Sequence, residues 1–401
     1  MTSNDLSRRT IIFVNIAHSF DHFILLIYPT AVIAIAVERG LDYAMLITLA
    51  TGAFVAFGLC SLPVGWLAAR YGSRNMLAVF FIGYGLSCIG VSTQTSLHGL
   101  AIWLLILGVF SAIYHPIGSD MIVTHAQHPG RSLGWNGAWG NIGAASAPGV
   151  TALIATTVGW QAAFVVPGLI CIGIGILFMI LVPYDGDGQN QEISKVGKRP
   201  PVARPIALLA IFGLAIVAGG LTFNMTTISL PKIVDERLGT ELSLVLTGSL
   251  ATIVFLLGAL TQVTLGRLIE NFSLPMVFLC VAIFQPIGLT VAATSTGPLM
   301  LMGLVMAMAA IYGQVVVNDA IVASYVPREL RAKAFSLRYF MGFTVGGFAI
   351  PIIAFLHSVG EFPLVLAAMA CFGTLVFISS IAFALEANRD AMPSSVQAAS
   401  E

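Results

Sequence analysis

Two histidines and an aspartate share the stretch HSFDHF at 18–23, inside a run that is otherwise apolar from Ile11 to Val37. A third histidine, His115, stands in a second apolar run, within YHP at 114–116. A carboxylate and imidazoles gathered in one place can carry a proton. They can also bridge helices by hydrogen bonds, or offer nitrogen and oxygen ligands to a divalent metal. His18 and His22 are four residues apart, on one face of a helix. Three further charges fall in apolar runs: Asp120, Asp319 and Arg338. A planar guanidinium suits a carboxylate or phosphonate, and a nearby aspartate equally well.

The elements that position these residues must lie in lipid. Of 401 residues, 58% are hydrophobic and 9% charged, against roughly 25% charged in soluble domains. A spanning helix needs about 20 mostly apolar residues. Runs near 11–37, 43–69, 76–95, 99–124, 133–157 and 162–183 meet that need, as do 207–233, 243–269, 275–295, 298–324, 334–358 and 362–386. Between the two sets, residues 184–205 are polar and rich in Gly, Pro, Lys and Arg, the composition of a linker. The expected organisation is a six-helix half over 1–183, a linker over 184–205 and a second six-helix half over 206–401. Long continuous runs exclude a closed barrel, which shows short alternating strands. The first run is too long for a signal peptide and is expected to be retained. The five cysteines are scattered singly and read as small buried membrane residues. A net charge of zero gives no reason to expect nucleic acid as a partner.

Lys and Arg set the orientation. With the N-terminus inside, fourteen fall in inner loops and tails and three (Arg39, Lys232 and Arg237) outside. Both termini and the linker are therefore expected in the cytoplasm, in a multi-pass protein of a bacterial cytoplasmic (inner) membrane. Asp21, His22 and His115 then share a depth near the midplane. Asp120 and Asp319 lie about 6–8 Å from the inner ends of spans 4 and 10.

The two halves repeat. His22 precedes Pro29 by seven, and Asn224 precedes Pro231 by seven. GWLAARYGSRNM from Gly65 answers to GRLIENFSLPM from Gly266, and IYHPIGSDMIV to IYGQVVVNDAIV. Asp120 pairs with Asp319 and Arg131 with Arg331, and the offset stays between 198 and 202. A parallel repeat of six spans is the architecture of a secondary transporter.

These residues carry a resemblance to the major facilitator superfamily. GWLAARYGSR resembles its loop 2–3 motif, with Ala69 where an acidic residue is usual. WQAAF (160–164) resembles its signature at span 6, and GAASAPG (143–149) the Gly-Pro motif of its proton antiporters. Asp21, YHP and GRS (130–132) most resemble the fosmidomycin-resistance branch of drug exporters. The resemblance implies an all-α fold of twelve transmembrane helices in two pseudo-symmetric halves. It also implies a central cavity lined by spans 1, 4, 7 and 10.

On that frame Asp21, His22 and His115 are the candidate proton-coupling residues. His18, Tyr114, Asn136, Trp139, Asn224, Gln262, Tyr312, Gln314, Asn318, Arg338 and Tyr339 are candidate substrate contacts. The resemblance implies a gate in which Asp120 holds Arg70 and Arg74, with Arg267 or Arg338 as partner for Asp319. No cofactor and no resident metal are expected, and a monomer is. The expected function is proton-coupled export of a small organic compound by alternating access. The alternatives are proton-coupled uptake of a small carboxylate, or transport of a divalent metal through the His/Asp cluster. No nucleophile motif or phosphate-binding loop points to an enzyme.

Overall fold

The computed structural model describes residues 3–127, 129–183, 204–238, 242–326 and 328–388. The expected linker lies outside these residues except for 204 and 205. The described residues are helical almost throughout. The first six spans comprise α1 (Ser3–Leu25), α2 (Ile27–Arg39), α3 (Tyr43–Thr48), α4 (Thr51–Leu59), α5 (Ser61–Tyr71), α6 (Ser73–Ser92), α7 (Leu97–Ser111), α8 (Tyr114–His125), α9 (Pro129–Thr157) and α10 (Trp160–Leu181). After the central segment come α11 (Pro205–Leu238), α12 (Leu244–Asn271), α13 (Leu274–Ala282), α14 (Phe284–Thr294), α15 (Gly297–Tyr325) and α16 (Arg328–Asn388).

More helices than spans are present mainly because proline breaks them. The breaks at Leu26, Cys60, Ile113 and Ile283 each precede a proline by three residues: Pro29, Pro63, Pro116 and Pro286. Proline donates no hydrogen bond and its ring crowds the carbonyl four residues back, so the helix parts there. At Pro63 the chain bends by 51°. Within α16, Gly360 and Glu361 leave helical backbone and separate two spans. Joined across these breaks and the proline-free one at Leu49–Ala50, and divided at Gly360, the described helices make twelve traverses.

Among the described residues nine stretches are long and apolar enough to cross a membrane, with the bent α3–α5 run as a tenth. The long Leu337–Ala387 stretch holds two spans. Helix α9 falls below the hydropathy of the others because it is rich in Gly, Ala and Asn. It packs between α1 and α12, where small residues allow close approach.

The repeat is visible in matching arginine contacts. Arg39, at the end of α2, donates to the carbonyls of Gln94 and Thr95 at the end of the third span. Arg237, at the end of α11, donates to those of Ala292, Ala293 and Ser295 at the end of the ninth. Each arginine satisfies carbonyls that a helix end leaves without partners. These contacts mark the end of the bundle opposite the termini.

Helices from before and after the central segment meet along two seams. In one, α4 packs on α16, with Gly58 against Thr344 and Gly347 against Val55. In the other, α9 packs on α12, where the Gly149 amide donates to Thr252 Oγ1 at 3.1 Å. At the end opposite the termini, the Tyr43 ring lies 5.3 Å from His357 and 5.6 Å beneath Lys232. His357 in turn contacts the Glu236 carboxylate at 3.1 and 3.2 Å. Beyond the bend, α5 packs on α6 and α8.

Candidate functional site

Helices α1, α7, α8 and α9 bring the titratable residues of the first half together. Asp21 is fully buried on α1. Ser111, the last residue of α7, donates to its Oδ1 at 2.5 Å. His115, just beyond the Pro116 break, turns Nε2 toward Oδ2 at 3.4 Å. The Tyr84 hydroxyl donates to the Asp21 backbone carbonyl at 2.9 Å and fixes that turn of α1. The rings of His18, His22 and His115 lie 4.9–5.5 Å from one another.

Two glycines make this possible. At Gly140 an added Cβ would stand 2.5 Å from His18 Nε2, and at Gly143 it would stand 2.0 Å from the Ser19 carbonyl oxygen. The close crossing brings Asn136 onto His18. His18 Nδ1 lies 2.7 Å from the Asn136 carbonyl oxygen, which can only accept, so Nδ1 carries the proton. His18 Nε2 is then an acceptor, and His22 Nε2 donates to it at 3.1 Å. The Asn136 amide meets the Tyr114 hydroxyl at 2.9 Å and donates to Asn15 Oδ1 at 3.0 Å. His18, Tyr114 and Asn136 thus spend their hydrogen bonds inside the protein, as helix bridges.

One nitrogen from each of the three histidines falls within a set spanning 4.8 Å, a spacing that imidazole coordination of a metal would accept. The His18–Asn136 and His22–His18 bonds also complete this arrangement without an ion. Among the described residues the set gains no ligand from the second half.

Aromatic rings connect the cluster to the second half. His115 stacks 6.1 Å from Tyr339 and lies tilted 4.8 Å from Phe343 and 5.7 Å from Phe57. The Arg338 guanidinium sits 5.0 Å over the Tyr339 ring. Arg338 pairs with Asp319 and donates to the Val315 carbonyl at 3.3 Å.

The remaining expected contacts are spread through the second half and its seam. Asn224 donates to the Gly220 and Gly342 carbonyls. Gln262 donates to the Tyr312 carbonyl and bonds to Asn141 across the α9–α12 seam. Gln314 is buried against Gln285, and Asn318 is buried with Oδ1 unpartnered among the described residues. Trp139 is partly exposed on α9.

The expected gate pairs are only partly formed. Asp319 takes Arg338, not Arg267, which is exposed on α12. Asp120 accepts from Ser73 at 2.8 Å. Arg74 donates instead to the carbonyls of Met179 and Val182, and Arg70 lies over the Trp66 and Tyr71 rings. Carbonyls left open at the end of α10 compete successfully for Arg74.

Ser111, Tyr84, Phe57 and Phe343 are site residues that the sequence reading missed. Ser111 stands four residues before His115, so helical spacing alone could have found it. The aromatics carry no such signal. Two apolar clefts, of about 490 and 390 Å³, lie between α12, α13 and α15 and beside α6 and α10, away from the cluster.

Residues 11–247 and 212–400 match the family model described as Major Facilitator Superfamily. A “Probable hexose phosphate transport protein” of Chlamydia pneumoniae is 25% identical over 167 residues, 41% of this chain and 36% of that protein. The “Membrane sensor protein UhpC” of Salmonella typhimurium is 26% identical over 32% of this chain and 30% of its own length. The matched stretch thus spans about a third of each relative. Among solved structures, a bacterial homolog of the human lysosomal transporter Spinster, inward-facing and occupied, superposes with a TM-score of 0.75 at 13% identity, covering 95% of this chain and 97% of that one. A D-xylose-proton symporter does so with a TM-score of 0.76 at 13% identity, covering 93% and 96%. At such identity the likeness is one of fold.

Proposed function

This chain belongs to the Major Facilitator Superfamily and is a secondary transporter, not an enzyme; from that premise we propose that it couples proton movement to the export of a small organic compound by alternating access. The observation that carries this reading is the setting of Asp21. Its carboxylate is buried, held on one oxygen by Ser111 and faced on the other by His115. A charge at bilayer depth costs about 2.5–3.5 kcal/mol on insertion scales, so such a residue has a reason to be there. Asp21 and His115 can hand a proton between them, and the contacts of His115 with Phe343 and Tyr339 relay that change to the second half. His22 completes the group and His18 anchors it.

Residues 1–183 and 206–401 are the halves that rock, joined by 184–205, with both termini in the cytoplasm of a bacterial cell. The end bearing Tyr43 and His357 then faces outward and is closed. Asp120 meets Arg70 or Arg74 only when the inner end shuts, a modest pair suited to being made and broken. The likeness of Asp21, YHP and GRS to the fosmidomycin-resistance exporters supports export. A second reading, uptake of a carboxylated or phosphorylated compound, is favoured by Arg338 and by the hexose phosphate relative.

The test uses proteoliposomes that hold a pH gradient reported by an enclosed dye. Amphiphilic drugs, small organic anions and divalent metals are added singly, with Asp21→Asn as control. Collapse of the gradient by one class, reduced about a hundredfold or more in the variant, is expected. Unchanged collapse in a folded Asp21→Asn protein would remove Asp21 from the coupling step.

A further inference from the structure

We propose that Arg338 anchors an anionic group of the transported compound, a carboxylate or phosphoryl oxyanion that takes the place of the Asp319 carboxylate. This rests on the transporter reading above but not on proton coupling. The Arg338 side chain is 9% exposed, whereas that of Asp319 is 40% exposed. A buried guanidinium must keep a counterion, because an uncompensated buried charge is strongly unfavourable. A carboxylate already facing water can leave with little loss of solvation. The pair therefore has a fixed member and an exchangeable one, and a partly hydrated ion pair is weak enough for another oxyanion to displace. The guanidinium supplies parallel N–H donors that match either oxyanion.

The surroundings single out this pair. Tyr339 lies beneath the guanidinium and stacks toward His115, and Phe343 lies 5.8 Å from Tyr339 and 4.8 Å from His115. A group held at Arg338 would thus sit one aromatic layer from the Asp21–His115 pair. Asn318, next to Asp319 in α15, is buried with an acceptor oxygen lacking a donor among the described residues. The repeat adds an independent argument. Asn136 stands 202 residues before Arg338, within the repeat offset, and bridges helices without a charge. The equivalent acid, Asp120, is held by Ser73. In this structure the first half therefore holds its acid without an arginine, so the repeat does not by itself require the Arg338–Asp319 pair.

The test is an equilibrium measurement on the purified full chain in detergent, at fixed pH and ionic strength and with no gradient. Thermal stabilisation is titrated with acetate, inorganic phosphate, glucose 6-phosphate and neutral glucose. The comparison is between wild type, Asp319→Asn and the double variant Asp319→Asn/Arg338→Gln. The double variant keeps a neutral hydrogen-bonding pair, so Arg338 can be removed without stranding a charge. At least one oxyanion is expected to stabilise Asp319→Asn with a half-saturating concentration about tenfold below that of wild type. Glucose should do nothing, and the double variant should lose the response. Acetate against phosphate distinguishes carboxylate from phosphoryl recognition. No oxyanion response in a folded Asp319→Asn protein, or a response retained in the double variant, would overturn the proposal. Because no gradient is present, either result leaves the Asp21 experiment independent.

Discussion

The two halves share a scaffold but carry different polar loads. Arg39 and Arg237 satisfy equivalent carbonyls. Yet His22 in the first half answers to Asn224 in the second, and Asn136 to Arg338. The first half knots three histidines and a carboxylate around Gly140 and Gly143. The second half holds the Arg338–Asp319 pair among neutral amides, and further charged contacts, of Lys232 and His357 with Asp235 and Glu236, lie at the end opposite the termini. The halves share contacts that make a six-helix unit. They differ at positions facing the shared interface, where one half holds the proposed proton carrier and the other the proposed anion anchor.

The largest effect that separates the halves is expected where they pack most differently. A Cβ at Gly143 would stand 2.0 Å from the Ser19 carbonyl oxygen, a backbone atom that cannot move alone. At Gly346, a near-equivalent site 203 residues on, its nearest neighbour would be the Asn224 side-chain amide, at 2.7 Å. Overpacking costs about 1–3 kcal/mol and sometimes more. Gly143→Ala is expected at or above the top of that range and Gly346→Ala at the bottom. Thermal unfolding in detergent gives the ranking. Equal losses would mean that the first half is no tighter than the second.

A smaller difference is expected from the arginines. Arg237 reaches three carbonyls. Arg39 reaches two and also lies 5.4 Å over the Trp160 ring. A hydrogen bond to a charged group contributes about 1.5–3 kcal/mol, less where water reaches it. Arg237→Ala is expected to destabilise by about 2–3 kcal/mol and Arg39→Ala by about 1–2 kcal/mol. The loss in both cases is of folding, with ligand response per folded molecule unchanged. An Arg39→Ala protein as stable as wild type would show that the repeat keeps this contact for something other than stability.

Much of this was legible because lipid imposes strict rules. Runs of about 20 apolar residues and loop charges mark spans without reference to packing. The exception, α9, shows the limit: a helix wedged between α1 and α12 trades apolar side chains for Gly and Ala. Residue counting from span ends also brought Asp21 and His115 to one depth, and they meet. Hydrogen-bond partners were not legible. Tyr114, Asn136 and His18 have the residue types of ligand contacts, but a close crossing at two glycines turns them inward on one another. Arg74 has the spacing of a gate residue, and carbonyls more than a hundred positions away hold it in this conformation. Such choices depend on three-dimensional competition for donors, which spacing does not encode.

The finest test of the comparison is Ser111→Ala. Ser-Ala-Ile-Tyr at 111–114 aligns with Ala-Ala-Ile-Tyr at 309–312, so the substitution gives the first half the second half's residue. It removes the donor to Asp21 Oδ1 and little volume. Removing a hydrogen bond to a buried carboxylate changes its energy by about 1.5–3 kcal/mol, and relaxation around Asp21 recovers part of that. Proton-driven transport is expected to fall about three- to tenfold, well short of the Asp21→Asn loss, with the thermal midpoint nearly unchanged. The pH dependence of the remaining rate should shift, because Ser111 donates directly to the Asp21 carboxylate. A loss of rate at unaltered pH dependence would make Ser111 a packing residue and leave Asp21 tuned by His115 alone. The matching change in the second half, Ala309→Ser, has no carboxylate to address and should leave transport as it is.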